Sequence, residues 1–357
     1  MRRIPLALPL ALAALLVAAG PAAARIAYTT AAGMNAQGSR ILVANDDGTG
    51  ATALGIRGST PEISPDGTRL AYVAGAIGMA SEVRIRTLAT GAEVTSAAAF
   101  GGSGVGGPTW SPDGSHLLVP TASLRADGIY TGQGLSIVDA ATGAATVVVA
   151  PKGNDVEAWS WSPTGDRFAY TNQRYGGRLY GETIRIANAD GSPVRTVGPG
   201  SNPVWGPTRI VFQRHTAARW HGMTLYHAQL WLADPLGATA PVQLTRYRSV
   251  GMIYGPWAGF WAPDGTRVFG GIGGEDYTLP GSFPLATGRL AVLRGAGGAR
   301  LDDTAIRAVS ADGRTLLVER GMISGRQSYG LMPSAGGAWT PFAKGVYELS
   351  VPPTWQP

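Results

Sequence analysis

The chain of 357 residues contains no cysteine. No disulfide can hold its fold, and no thiolate can serve as nucleophile or metal ligand. Lysine is nearly missing too, since Lys152 and Lys344 are the only two and arginine carries the rest of the positive charge. Charged residues make up 15% of the sequence, and no basic block lies beyond its first residues. Nucleic acid therefore has no electrostatic footprint to bind. No segment sustains a 3.6-residue apolar period, so helices do not organise the fold. Phosphate loops, Gly-x-Ser-x-Gly elbows and His-Glu-x-x-His pairs are also absent. Nucleotide hydrolysis on a phosphate loop, elbow-type serine hydrolysis and helix-borne zinc chemistry are excluded with them.

What the chain has in quantity is glycine and proline, 52 and 25 residues. Many of them punctuate one recurring corner. Its clearest copy is Trp110-Ser111-Pro112-Asp113-Gly114-Ser115-His116-Leu117-Leu118-Val119. Ser111 can bond backbone ahead of it, Pro112 presets φ at the first turn position, and Gly114 supplies the positive φ that reverses the chain. Apolar residues on both sides then pair as antiparallel strands. Further copies begin at Ile63-Ser64-Pro65-Asp66-Gly67, Trp161-Ser162-Pro163-Thr164-Gly165, Trp261-Ala262-Pro263-Asp264-Gly265 and Val309-Ser310-Ala311-Asp312-Gly313. A shortened one is Trp205-Gly206-Pro207-Thr208. The copies recur roughly every 44 to 56 residues, a period of stacked repeats or propeller blades.

Each period reads as four short strands, A to D, with the corner between A and B and a Gly-containing turn between C and D. The third strands are expected at 82–88, 134–138, 182–187, 230–233 and 289–293. This pattern is all-β. The two ends are complementary. Arg25-Ile26-Ala27-Tyr28 opens as a strand B with no A before it, and Pro353-Thr354-Trp355 repeats the A pattern with nothing after it. A seven-bladed β-propeller closed by pairing of the N- and C-terminal strands accounts for both, with six blades as the alternative. Before it, Met1-Arg2-Arg3, an apolar run and Ala22-Ala23-Ala24 read as a secretory signal peptide over 1–24. The expectation is export by the general secretory route to the periplasm or beyond, and one domain over 25–357. No membrane span is expected after cleavage, and the chain is expected to be a monomer.

The Trp-Ser-Pro-Asp-Gly-x-x-Leu-Ala-Tyr repeat resembles those of TolB-type β-propellers, over essentially all of 25–357. Such repeats also occur in propellers of the prolyl oligopeptidase family and in oligogalacturonate lyases. The resemblance implies the fold; the function must come from the site.

In an up-and-down blade the A–B corners and C–D turns share one face, while the B–C and D–A loops share the other. Variation falls on the second face, with loops expected at 120–133, 172–181, 213–223 and 270–288 and a D–A stretch at 246–259. Gln173-Arg174-Tyr175 and Gln213-Arg214-His215 leave strand B at matching places. The candidate binding residues there are Gln173, Arg174, Tyr175, Arg214, His215, Trp220, His221, Tyr254, Trp257 and Tyr277. Arginine beside aromatic rings suits a protein hot spot or a carboxylate- or sugar-bearing ligand. The expected role is a non-enzymatic scaffold binding a protein or glycan of the cell envelope, with no cofactor and no nucleic acid. The alternative is a metal-dependent polysaccharide lyase or hydrolase, because His215, His221 and His227 recur at spacing six and the lyases use a histidine-rich manganese site. Their close-spaced histidine pair is missing here. Most tryptophans fall on strand A, where packing between blades is their expected role.

Overall fold

The computed structural model describes residues 25–30, 39–74, 81–100, 107–124, 130–151, 153–174, 181–220, 223–247, 253–274, 278–321, 328–341 and 354–355. Among them the chain is all-β apart from one short 3-10 turn, Ala296–Gly298. The corners are what build it. Gly67, Gly114, Gly165, Gly265 and Gly313 all sit at φ between 66° and 73°. Ser111 Oγ accepts the His116 N–H at 2.9 Å and donates to Asp113 at 2.6 Å. Ser64 and Ser310 repeat both bonds, to Arg69 and Asp66 and to Thr315 and Asp312. Where Thr164 replaces the aspartate, Asp166 supplies the carboxylate to Ser162 at 2.9 Å.

From each corner an antiparallel meander runs outward. The third unit is typical: Asn154–Trp161, Arg167–Arg174, Thr183–Asn188 and Pro193–Pro199 pair in order. Three such units stand as separate 4-stranded sheets; the rest are joined into one 15-stranded sheet. The joints are the long strand Thr52–Ile63, the pair Phe100↔Thr121 and the single parallel pair Asp155↔Gln133. Thr354 and Trp355 pair antiparallel with Ala27 and Ile26.

Among the described residues no single core exists. Apolar clusters lie between successive units instead, as stacked repeats require. Ala71, Val73, Val83 and Ile85 of the first unit meet Trp110, Leu117 and Val119 of the second. Ala308, Leu317 and Tyr329 of the last unit meet Ile26, Tyr28 and Ala44. The tryptophans before the corners stitch neighbours together. The indole N–H groups of Trp110, Trp161 and Trp261 donate to the carbonyls of Glu62, Thr109 and Val204, each on strand A of the preceding unit, at 2.9 to 3.1 Å.

Two expectations are corrected. The stretches 120–133, 213–223 and 270–288 are mostly strand, not loop. His116–Leu124 pairs with Tyr130–Asp139, and Ile210–Trp220 pairs with Met223–Ala233 as far as Trp220↔Met223. Likewise 253–259, expected within the D–A stretch, belongs to strand Ile253–Trp261. In the fifth unit the third strand is Thr278–Pro284, and 289–293 holds only the fourth, Ala291–Val292. Pro280 and Pro284 disguised the third strand, because proline argues against a strand interior.

The corners predict acid sensitivity. Hydrogen bonds from the Ser111 hydroxyl and the Ser115 N–H hold the Asp113 carboxyl down at about 2. The Ser310 hydroxyl lowers Asp312 in the same way. A carboxylate depressed in the native state stabilises it above its unfolded pKa, and that stability is lost as pH falls through the native value. Melting temperature should fall as pH drops from about 4 toward 2, and Asp113→Asn should flatten part of that slope. Thermal scans across this range check it; a flat profile would contradict it.

Candidate functional site

The two ends of the sheets differ in chemistry. At the corner end, the C–D turns of five units are bonded to their own A–B corners: Leu88, Ala140, Ala189, Leu285 and Ser334 donate their N–H to Thr68, Ser115, Asp166, Thr266 and Arg314. Neighbouring corners also touch, as where Arg69 Nη2 donates to the Gly114 carbonyl at 2.7 Å. That end is knitted from backbone and repeats itself from unit to unit.

At the other end the side chains do not repeat. Strand A begins there, and in five units it carries a β-bulge on entry. The register shifts between Ser59 and Glu62, Val156 and Trp159, Ser201 and Val204, Ala258 and Phe260, and Ile306 and Ala308. A bulge re-aims side chains and is over-represented beside functional sites. Thr60 and Asn202 take φ of 45° and 51° within two of these bulges, and Asp303 takes 59° just before the last. The bulge residues include Glu157, Asn202 and Arg307.

Buried polar groups collect at this end. Gln133, 1% exposed, donates to the Val156 carbonyl at 2.6 Å. Asn202 Nδ2 donates to Gln213 Oε1, whose Nε2 donates to the Pro256 carbonyl. Arg307 Nε donates to the Glu319 carboxylate at 2.6 Å. Glu319 itself is 1% exposed. Burial raises the Glu157 carboxyl above its ordinary range, and Glu182 and Asp155 push it the same way. Glu62 is pushed up to about 8 by burial of its carboxyl, although the residue as a whole is half-buried. Burial lowers His215, against the pull of Glu182.

The sequence-derived candidates divide accordingly. Gln173 lies opposite Asp155, with its Oε1 buried and without a hydrogen-bond partner among the described residues. His215 joins the same region through Glu182. Trp257 lies half-buried in the bulged strand of the fifth unit. Arg214 is engaged structurally: its guanidinium stands 4.4 Å over the Trp231 ring, and its Nε donates to the Pro199 carbonyl at 3.0 Å. Arg174, Trp220 and Tyr254 belong to described strands. Tyr175, His221 and Tyr277 lie outside the described residues.

His215 stands opposite Ala228, and His227 stands opposite Thr216 on the same strand pair. Their side chains therefore leave opposite faces of the sheet and do not share a ligand. No group of three or more potential metal-ligating side chains comes together among the described residues.

Glu62, Asp155, Glu157, Glu182 and Arg307 were missed as candidates from sequence. The one available signal was a polar residue interrupting the apolar approach to each corner, as in Val156-Glu157-Ala158-Trp159. A second prediction follows from Glu157. Its native state holds the proton more tightly than the unfolded chain, so stability is lost as pH rises above about 4.5, the ordinary glutamate value. Glu157→Gln should melt higher than the parent at pH 7, with the gap closing toward pH 4. A variant that melts lower at pH 7 would show that the carboxylate is stabilised there.

A family model for the TolB beta propeller domain matches residues 15–207, about half the chain. Among solved structures, the periplasmic gluconolactonase of Pseudomonas aeruginosa matches at TM-score 0.59 and 15% identity, over 93% of this chain and 98% of that one. An oligogalacturonate lyase in complex with manganese matches at TM-score 0.57 and 13% identity, over 89% and 85%. TolB from Acinetobacter baumannii matches at TM-score 0.48 and 18% identity, over 95% and 68%. No curated protein sequence matches. The first two likenesses speak for the fold and leave activity open.

Proposed function

Because the chain belongs to the TolB β-propeller domain family, we propose that it is an exported, non-enzymatic binding scaffold for a protein or glycan of the cell envelope. The partner engages the end where strand A begins. The scaffold is a seven-bladed ring in which Thr354–Trp355 completes the blade of Arg25–Thr30, Ser39–Asn45 and the first half of Thr52–Ile63. Two observations support the ring: that terminal pairing, and seven apolar clusters that follow one another from unit to unit and return to the first strands. Export rests on the leader-like pattern of 1–24. No helix among the described residues is long and apolar enough to cross a membrane.

The observation that carries the binding reading is the contrast between the ends. The corner end satisfies its polar groups by a repeated backbone network, whereas the opposite end presents a non-repeating set, Asp155, Glu157, Gln173, Glu182 and His215. Gln173 Oε1, buried without a hydrogen-bond partner among the described residues, and the Glu157 carboxyl, disfavoured by burial, are groups a partner can complete. The lyase-or-hydrolase alternative needs metal ligands gathered from several strands, and the two described histidines of its cluster diverge.

The test uses the purified chain as bait in an envelope extract. Capture of a defined species should be lost with the triple variant Glu157→Gln, Gln173→Ala and His215→Ala and kept with the corner variant Asp113→Asn. Equal capture by the triple variant, or loss with the corner variant, would sink the proposal.

A further inference from the structure

A second site lies on the D–A connection between the fifth and sixth units and does not rest on the reading above. Leu279 and Pro280 on the third strand of the fifth unit, Val292 on its fourth, and Leu301 on the segment leading to the sixth line a cavity of about 250 Å³ with Arg294 and Arg300. Leu301 is 4% exposed and forms its apolar floor. The backbone carrying the arginines is pinned. Leu293 N–H donates to the Pro280 carbonyl, and Gly337 N–H donates to the Arg294 carbonyl at 2.9 Å. Gly295 N–H donates to the Ala299 carbonyl at 2.8 Å, closing the turn that returns the chain to Arg300.

The charges here are unbalanced. The Arg294 guanidinium has no hydrogen bond or ion pair among the described residues. Arg300 reaches one carboxylate oxygen only, Asp302 Oδ1, with Nε at 3.2 Å and Nη2 at 3.1 Å. Both partners of that pair are at least half exposed, so it holds weakly. Two guanidinium groups above an apolar floor match a molecule with an anionic head and an apolar body. The volume is below the usual range for drug-sized ligands and admits a body of roughly ten non-hydrogen atoms.

We propose that this pocket binds a small apolar carboxylic acid, its carboxylate on Arg294 and Arg300 and its body against Leu279, Pro280, Val292 and Leu301. Asp302 competes with the ligand for Arg300 and limits affinity. Calorimetric titration of the full chain with phenylacetate tests this, with phenylacetamide as the uncharged isostere and acetate as the charge without the body. Phenylacetate should bind saturably, at least tenfold tighter than either control. Arg294→Gln should weaken it at least tenfold, and Asp302→Asn should tighten it several-fold; both residues are exposed, so the fold tolerates the changes. Absence of saturable phenylacetate binding, equal binding of the amide, or affinity unchanged in Arg294→Gln would overturn the assignment.

Discussion

Gly143→Ala is expected to lower unfolding free energy by about 3 kcal/mol, far more than a surface-turn substitution normally does. Gly143 lies at φ +75° in the C–D turn of the second unit, and a Cβ there would overlap the Thr95 carbonyl of the first. Its own carbonyl accepts the Ala97 N–H at 2.8 Å, so the turn cannot retreat without breaking that bond. The left-handed backbone costs an alanine about 1–2 kcal/mol, and the overlap adds about 1–3. Gly55→Ala separates the two contributions. Gly55 has φ +72° with nothing within 4 Å of the added carbon, so only the backbone cost of about 1 kcal/mol applies. Denaturant midpoints at unchanged slope give both values. Equal losses would mean that the turn does not bear on its neighbour.

Removal of 351–357 is the second large effect. In the proposed ring these residues complete the first blade, and Trp355 pairs with Ile26. Without them the strand Arg25–Thr30 becomes an open edge. A loss of about 3 kcal/mol is expected, at the upper end of the usual range for a local change. Unfolding should also broaden, because an opened repeat array can fray from its ends. A truncated chain that melts like the full one would show that the last strand closes nothing.

The corners were legible in the sequence because their chemistry is local. Serine, aspartate and glycine at fixed offsets determine their own bonds, and the structure makes those bonds with Ser64, Ser111 and Ser310. The packing role of the strand-A tryptophans was legible for a related reason. A large aromatic residue repeated at one point of a blade has its neighbour's backbone as partner, and Trp110, Trp161 and Trp261 all use it. The third strand of the fifth unit was hidden by Pro280 and Pro284. The long hairpin of Ile210–Trp220 with Met223–Ala233 was hidden by Arg214-His215-Thr216-Ala217, a polar stretch whose pairing depends on the opposite strand. Glu157 escaped for the same physical reason. A bulge exists only in the register between two strands, so one strand's pattern only hints at the residues it re-aims. Arg214 was read as a contact for a partner, and its place over Trp231 could not be foreseen without knowing which strand lies beside it.

Backbone amide hydrogen exchange of the chain with and without its captured partner tests the central claim most directly. Protection should rise at Asp155, Gln173 and Gln213–His215, where strand A begins and strand B ends. The corner amides of Gly114 and His116 and the turn amide of Gly143 should be unchanged. Protection confined to the corners and C–D turns, with the strand-A entry unaffected, would contradict the account.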